Sequence, residues 1–157
     1  MATLRRALRD AEPDPDPHLN LASALLRAGE ASEAIAHQEE ALRLARAQGD
    51  REARLRALRP LARLRASHPD PALRDGEAAL RHARSALELE GSGHPADLAH
   101  RAQALAELGR FDEAARTTLR ALQKIPPGRR DLREPLRARL QLYRAGRPYR
   151  LDPGALE

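Results

Sequence analysis

Residues 104–122 read ALAELGRFDEAARTTLRAL, in which a glycine separates two runs of helix-forming residues. Phe111 is the single phenylalanine of the chain, and it follows Gly109 between two runs rich in alanine and leucine. Alanine and leucine are strong helix formers, whereas glycine favours the left-handed backbone that ends many helices. The stretch therefore predicts two helices joined at Gly109, with Phe111 covering the top of the pair.

The composition of the whole chain of 157 residues supports the same interpretation. Aromatic residues make up 2%, valine is absent, and the two isoleucines are Ile35 and Ile125. Because strands favour β-branched and aromatic residues, we predict an all-α protein with a core of alanine and leucine. Prolines and glycines divide the chain into segments of 11–18 residues, which is typical of antiparallel helical hairpins.

Several classes of protein are excluded or disfavoured by what the sequence lacks. There is no cysteine, so disulfides and thiolate metal sites are excluded. No apolar run approaches the roughly 20 residues needed to span a bilayer, and the N-terminus has no apolar stretch of signal-peptide length. We therefore predict a soluble, cytoplasmic protein with no membrane partner.

No arrangement of polar residues resembles a catalytic or metal centre. The six histidines lack the spacing that places zinc ligands on one helix face. The acidic run at 14–17 is predicted to be an extended linker, without the glycine and distal glutamate of a calcium loop. The serines and threonines have no evident base partner, so we predict no enzyme activity, no metal and no cofactor.

An internal repeat gives these hairpins an order. The dipeptide Ala-Leu recurs late in four of the predicted helices, with its alanine at positions 7, 41, 86 and 121, at intervals of 34, 45 and 35 residues. A period near 34 residues built from paired helices resembles the tetratricopeptide repeat (TPR) family. The matching positions are Leu21, Ala22, Leu25, Gly29, Ala34 and Ala41 in the first unit, Leu61, Ala62, Ala79 and Ala86 in a divergent second, and Ala102, Leu105, Gly109, Phe111, Ala114, Ala121 and Pro126 in the third.

The resemblance implies one TPR-like domain over residues 1–157, stacked as a short right-handed solenoid. Segments 61–80 and 137–150 further resemble the C-terminal TPR arrays of large bacterial multidomain proteins. A final helix carries the apolar stripe Leu132, Leu136, Leu140 and Tyr143, as expected of a solenoid cap. The implied parts are a partial or capping helix at 1–12, repeats at 15–49, 51–91 and 95–128, and the capping helix at 131–146; the middle repeat contains a turn inserted at 68–76.

In TPR proteins the first helix of each pair lines a concave groove that binds peptides or helices. The lysines and asparagines with which some members clamp a C-terminal carboxylate are not matched here, so a chaperone-tail receptor is not predicted. Pro60 is predicted to kink or begin the helix that carries three of the groove arginines. By this resemblance the partner-binding residues are Leu26, Arg27, Arg56, Arg59, Arg63, Gln103 and Glu107.

The charge of the chain leaves more than one function open. The formal net charge is +5, and residues 51–65 and 129–150 carry +5 and +6 on a mildly acidic remainder. The favoured prediction is a protein–protein interaction scaffold that binds a protein or peptide partner, including an acidic one, in its groove. A basic, nucleic-acid-associated protein is the alternative, although stacking aromatics are scarce. A structural assembly element of a larger protein is the third hypothesis, with self-association through the N-terminal end.

Overall fold

The computed structural model describes residues 14–91 and 93–152. These residues form seven α-helices and one 3₁₀ turn and contain no strand, so the all-α prediction is confirmed for them. The helix predicted within 1–12 lies outside the described residues. The helices are α1 (Pro15–Arg27), α2 (Ala31–Gln48), α3 (Arg51–Ser67), α4 (Gly76–Glu90), α5 (Pro95–Glu107), α6 (Phe111–Lys124) and α7 (Arg130–Arg144), with the 3₁₀ turn at Pro71–Leu73.

Contacts divide the described residues into two compact units. The first consists of residues 14–61 with Asp152, and the second of residues 62–151, so the division falls within α3. Within the first unit α1 packs on α2, and within the second α4 packs on α5, α5 on α6 and α6 on α7. Helical hairpins of neighbouring elements are therefore present, whereas a single TPR solenoid over the whole chain stays a prediction.

Helix α1 begins inside the acidic run at 14–17, so the prediction of an extended linker there is wrong. Asp14 caps the helix, because its Oδ1 accepts a hydrogen bond from the backbone N–H of Asp16 at 3.0 Å. Pro15 is the first helical residue and Pro17 lies in the first turn. The N–H groups of a first turn have no partner within the helix, so prolines there remove no hydrogen bond.

The same turn joins α1 to α2 and α5 to α6. Gly29 and Gly109 end these helices with φ of +76° and +73°, which confirms the left-handed backbone predicted for Gly109. The backbone N–H of Arg110 then donates to the carbonyl of Leu105 at 2.8 Å, and the equivalent bond of the first turn measures 2.9 Å. These are the bonds of a Schellman motif, which satisfies carbonyls that a helix end would leave unpaired.

The core of the second unit is built from alanine and leucine, as the composition predicts. Leu105 and Ala114 have no exposed surface, and Phe111 is half-buried against the cluster that contains them. Alanine has no side chain beyond Cβ, so α5 and α6 approach closely at this point. A second cluster joins α5, α6 and α7 through Leu98, Ala99, Ala121, Leu122, Ile125, Leu136 and Leu140.

Helix α3 continues through Pro60, which neither begins nor ends it. Asp50 caps its N-terminus by accepting a hydrogen bond from the backbone N–H of Ala53 at 2.9 Å. The inserted turn that follows is shorter than predicted, because α4 already begins at Gly76. A Cβ at Gly76 would lie 2.8 Å from the side chain of Leu108, so glycine is needed where the start of α4 packs against the end of α5.

Helix α7 covers the end of the second unit, although one residue of its predicted stripe differs. Leu136, Leu140 and Tyr143 are buried, but Leu132 is 44% exposed because it lies in the first turn beside an open cleft. Arg133 binds α7 to the end of α6, where its guanidinium donates to the carbonyls of Leu122 and Ile125 at 2.7 and 2.6 Å.

The chain then returns to the end of α3. Leu151 is buried, and its backbone N–H donates to the carbonyl of Ser67 at 2.8 Å. This bond satisfies a carbonyl at the C-terminus of α3 and fixes the extended segment 147–151 on the second unit. This segment carries Tyr149, which contacts Arg139, and Arg150, which contacts Glu107.

Candidate functional site

The predicted groove residues of the first unit remain at its surface. Leu26 is half-buried against the small core of α1 and α2, and Arg27 is exposed. Arg56 is also exposed, and its Nη1 contacts Oδ1 of Asp16 at 2.6 Å. Arg59 is half-buried on the same helix as Arg56. A role of these residues in binding a partner stays a prediction.

Gln103 and Glu107, both predicted to line the groove, are largely withdrawn from solvent. Gln103 is 2% exposed. Glu107 is held between two arginines, with Oε1 2.9 Å from Nε of Arg74 and Oε2 2.7 Å from Nη1 of Arg150. Both side chains therefore make internal contacts of the second unit, and partner binding by them stays a prediction.

Arg63, the remaining predicted residue, belongs to a group of side chains that the sequence does not place together. We call this group the arginine–tyrosine cluster; its members are Arg63, Arg139, Tyr143 and Tyr149. Arg139 and Tyr143 are one turn apart on α7 and so share a face. The guanidinium carbon of Arg139 lies 4.4 Å from the ring centroid of Tyr149, which is a cation–π contact.

Burial and the charge of Arg139 shift the pKa values of two members of the cluster, Arg63 and Tyr143. Burial lowers the pKa of Arg63, the nearby Tyr149 opposes this change and the positive charge of Arg139 adds to it. Burial also raises the pKa of Tyr143, although Arg139 opposes that change. The Tyr143 hydroxyl and the Nε of Arg139 have no hydrogen-bond partner among the described residues. The cluster thus concentrates positive charge and hydrogen-bond donors in a partly desolvated place.

A second group of arginines surrounds Arg101 in the same unit. Burial lowers the pKa of Arg101, and the positive charges of Arg84 and Arg120 lower it further. Glu113 opposes this effect, but its carboxylate is already paired with Arg110 at 2.7 Å. Like charges therefore face one another at two places in the second unit.

An open cleft of about 330 Å³ adjoins the arginine–tyrosine cluster. Its floor is apolar, and Arg139 contributes to its wall together with two histidines and Asp131. Asp131 forms a bidentate pair with Arg129, at 2.7 and 3.0 Å, so it does not neutralise Arg139. The apolar lining residues are Pro95, Ala96, Ala99, Ile125, Leu132, Pro135 and Leu136.

The first unit contains a histidine pair that spacing along one helix could not reveal. His18 of α1 and His37 of α2 have their Nδ1 atoms 2.9 Å apart, so one ring donates a hydrogen bond to the other. Burial lowers the pKa of His18, and the neighbouring His37 lowers it further. Nε2 of His37 lies 3.9 Å from Oε1 of Glu33. The alignment of two antiparallel helices was the signal that could have predicted this pair.

Within the described ranges, no group of three or more histidine, cysteine, aspartate or glutamate residues could hold a metal ion. No helix in this part of the chain is long and apolar enough to cross a membrane. Comparison of the chain with models of known protein families, with curated proteins and with solved structures gave no match.

Proposed function

We propose that this chain is a non-catalytic interaction scaffold that binds an acidic segment of a partner protein. The observation that carries the proposal is the arginine–tyrosine cluster, where two partly desolvated arginines lie near each other. Among the residues that the structure describes, Tyr149 and Arg139 act electrostatically on Arg63, and no carboxylate of these residues does so. Burying like charges costs free energy, and a ligand that supplies negative charge would recover it.

The helical framework also supports this proposal. The resemblance to TPR proteins rests on the sequence period near 34 residues. The hairpin turn is compatible with it, because Gly29 and Gly109 have the same left-handed backbone and the same backbone bond follows each of them. TPR arrays present side chains of paired helices to peptide segments. Beside the cluster, the apolar cleft offers a surface for the hydrophobic side chains of such a segment.

The alternative of nucleic-acid binding rests on the same positive charge. A net charge of +5 and the arginine-rich ranges 51–65 and 129–150 would attract phosphates as well as carboxylates. Single-stranded nucleic acids usually stack on aromatic side chains, and Tyr149 already stacks on Arg139. We therefore favour the protein partner and make nucleic acid an outcome of the test.

The test is affinity capture from a lysate of the native cells, with and without nuclease, followed by mass spectrometry. We expect a discrete protein that survives nuclease and carries an acidic segment. The double variant Arg63→Gln, Arg139→Gln should release this protein. The control is the double variant Arg137→Gln, Arg144→Gln, which removes the same charge at two exposed positions of α7 and should not release it. Partners that all vanish with nuclease would contradict the proposal.

A further inference from the structure

We propose that the arginine–tyrosine cluster is a carboxylate-binding site that receives one aspartate or glutamate side chain of the partner. This inference rests on the proposed function and assigns its acidic recognition to four residues, three of which lie outside the groove implied by the TPR resemblance. In this proposal each member supplies a different part of the site.

Arg139 supplies an oriented fork of hydrogen-bond donors. Its guanidinium lies 4.4 Å from the ring centroid of Tyr149, and stacking of this kind holds the planar group in one orientation. The ring covers a face of the guanidinium and leaves the N–H groups at its edge, where a carboxylate accepts two parallel bonds. Asp131, the acidic residue that lines the cleft beside Arg139, is occupied by Arg129.

Tyr143 supplies a buried donor that the described residues do not use. The residue is 1% exposed, yet its hydroxyl has no hydrogen-bond partner among them. Buried tyrosine hydroxyls normally find a partner, because an unsatisfied one loses its bonds to water without replacement. Tyr143 follows Arg139 by one helical turn, so the unused hydroxyl lies on the same face of α7 as the guanidinium.

Arg63 supplies the second positive charge from a different helix. Its guanidinium is half-buried and lies near enough to Arg139 for the two cations to repel each other. The carboxylate of Glu107, in the same unit, is engaged by Arg74 and Arg150. An added carboxylate would neutralise one of the two charges and so relieve this repulsion.

The two tyrosines of the chain, Tyr143 and Tyr149, both belong to the site, and there is no tryptophan. Intrinsic tyrosine fluorescence therefore reports on this cluster alone. The probe is a tetraglutamate peptide, acetylated at its N-terminus and amidated at its C-terminus, titrated at constant ionic strength. Matched tetraglutamine, inorganic phosphate and an oligothymidylate are titrated in parallel, because a phosphate oxyanion offers the same acceptor chemistry as a carboxylate.

We expect tetraglutamate to change the emission saturably and tetraglutamine to leave it unchanged. Arg139→Gln and Arg63→Gln should each weaken binding about tenfold, as expected for loss of a charge-assisted hydrogen bond. The matched control Arg137→Gln, exposed on the same helix, should change affinity less than about twofold.

Tyr143→Phe separates a binding role from a structural one. It removes only the hydroxyl, which has no hydrogen-bond partner among the described residues, so the variant should fold and melt at the wild-type temperature or above it. Affinity for tetraglutamate, followed through Tyr149, should nevertheless fall about tenfold. Unchanged affinity of this variant, or equal weakening by Arg137→Gln and Arg139→Gln, would overturn the site.

The proposed function and the proposed site can fail separately. If tetraglutamate binds as expected while captured lysate proteins all depend on nucleic acid, the carboxylate site stands and the protein-scaffold function fails. If a nuclease-resistant protein partner is captured but tetraglutamate causes no tyrosine response, the function stands and the site fails. Binding of oligothymidylate without tetraglutamate would overturn the site in favour of a phosphate-binding surface.

Discussion

Glu107 links two arginines of the second unit, and replacing it with glutamine tests how far this network stabilises the fold. Its carboxylate lies 2.9 Å from Arg74 and 2.7 Å from Arg150. The side chains of Glu107 and Arg74 are each 16% exposed, and that of Arg150 is 34% exposed. Water therefore screens the ion pair of Glu107 with Arg74 weakly and its ion pair with Arg150 more strongly.

The change Glu107→Gln keeps the volume of the side chain and removes its charge. A hydrogen bond to a charged group contributes about 1.5–3 kcal/mol, and the glutamine oxygen can still accept one weaker bond. Because two partly buried cations lose their counter-charge, we expect the free energy of unfolding to fall by roughly 2–3 kcal/mol. At about 2–4 °C per kcal/mol for a chain of this size, Tm should fall by about 4–12 °C.

The measurement is thermal and urea unfolding followed by far-UV circular dichroism. The control is Glu113→Gln, which breaks an exposed pair with Arg110 and should leave Tm essentially unchanged. If Glu107→Gln melted within about 1 °C of the wild type, the network would not stabilise the unit and our reasoning would be refuted. A large loss would also mean that Glu107 variants are unsuitable for testing the groove.

Three further predictions concern the core, the turn and the histidine pair. Leu105→Ala should cost about 2–5 kcal/mol in urea unfolding, because this side chain is fully buried, whereas Leu132→Ala, at an exposed position, should stay within about 0.5 kcal/mol. Gly109→Ala should cost about 1–2 kcal/mol, since alanine is strained at a φ of +73°; Gly128→Ala, at an open position without positive φ, is its control, and equal melting of the two would contradict the role of the turn. Burial lowers the pKa of His18 below its ordinary value of 6.5, so the unfolded chain binds the proton more readily and stability should fall as the pH drops below that value. Urea unfolding at about pH 7.5 and about pH 5 should show this fall, and His18→Gln should reduce it; an unchanged pH dependence in the variant would argue against the assignment.

Local sequence signals predicted the helices and their ends well. Glycine at 29 and 109 follows an alanine- and leucine-rich run, and this pattern alone fixes the left-handed turn that the structure contains. The acidic run at 14–17 was misread because its prolines look like helix breakers. They lie in the first turn of α1, where their missing N–H groups have no consequence.

The candidate site was less predictable, because it depends on contacts between distant parts of the chain. The face shared by Arg59 and Arg63 follows from helical spacing, but the approach of Arg63 to Arg139 and Tyr149 depends on how α3, α7 and the final segment pack. The burial of Gln103 likewise depends on packing across helices, which a repeat motif does not specify. Helix periodicity identifies a face but does not identify what covers it.

The bond between Leu151 and Ser67 has a consequence for how the protein forms during synthesis. Ser67 lies near the start of the second unit and Leu151 is its last residue, so this contact cannot form until synthesis has passed Leu151. The hairpins of α1 with α2 and of α5 with α6 join neighbouring segments and can form as they emerge. The arginine–tyrosine cluster includes Tyr149, two residues before this bond, and is therefore completed only after both hairpins have been synthesised.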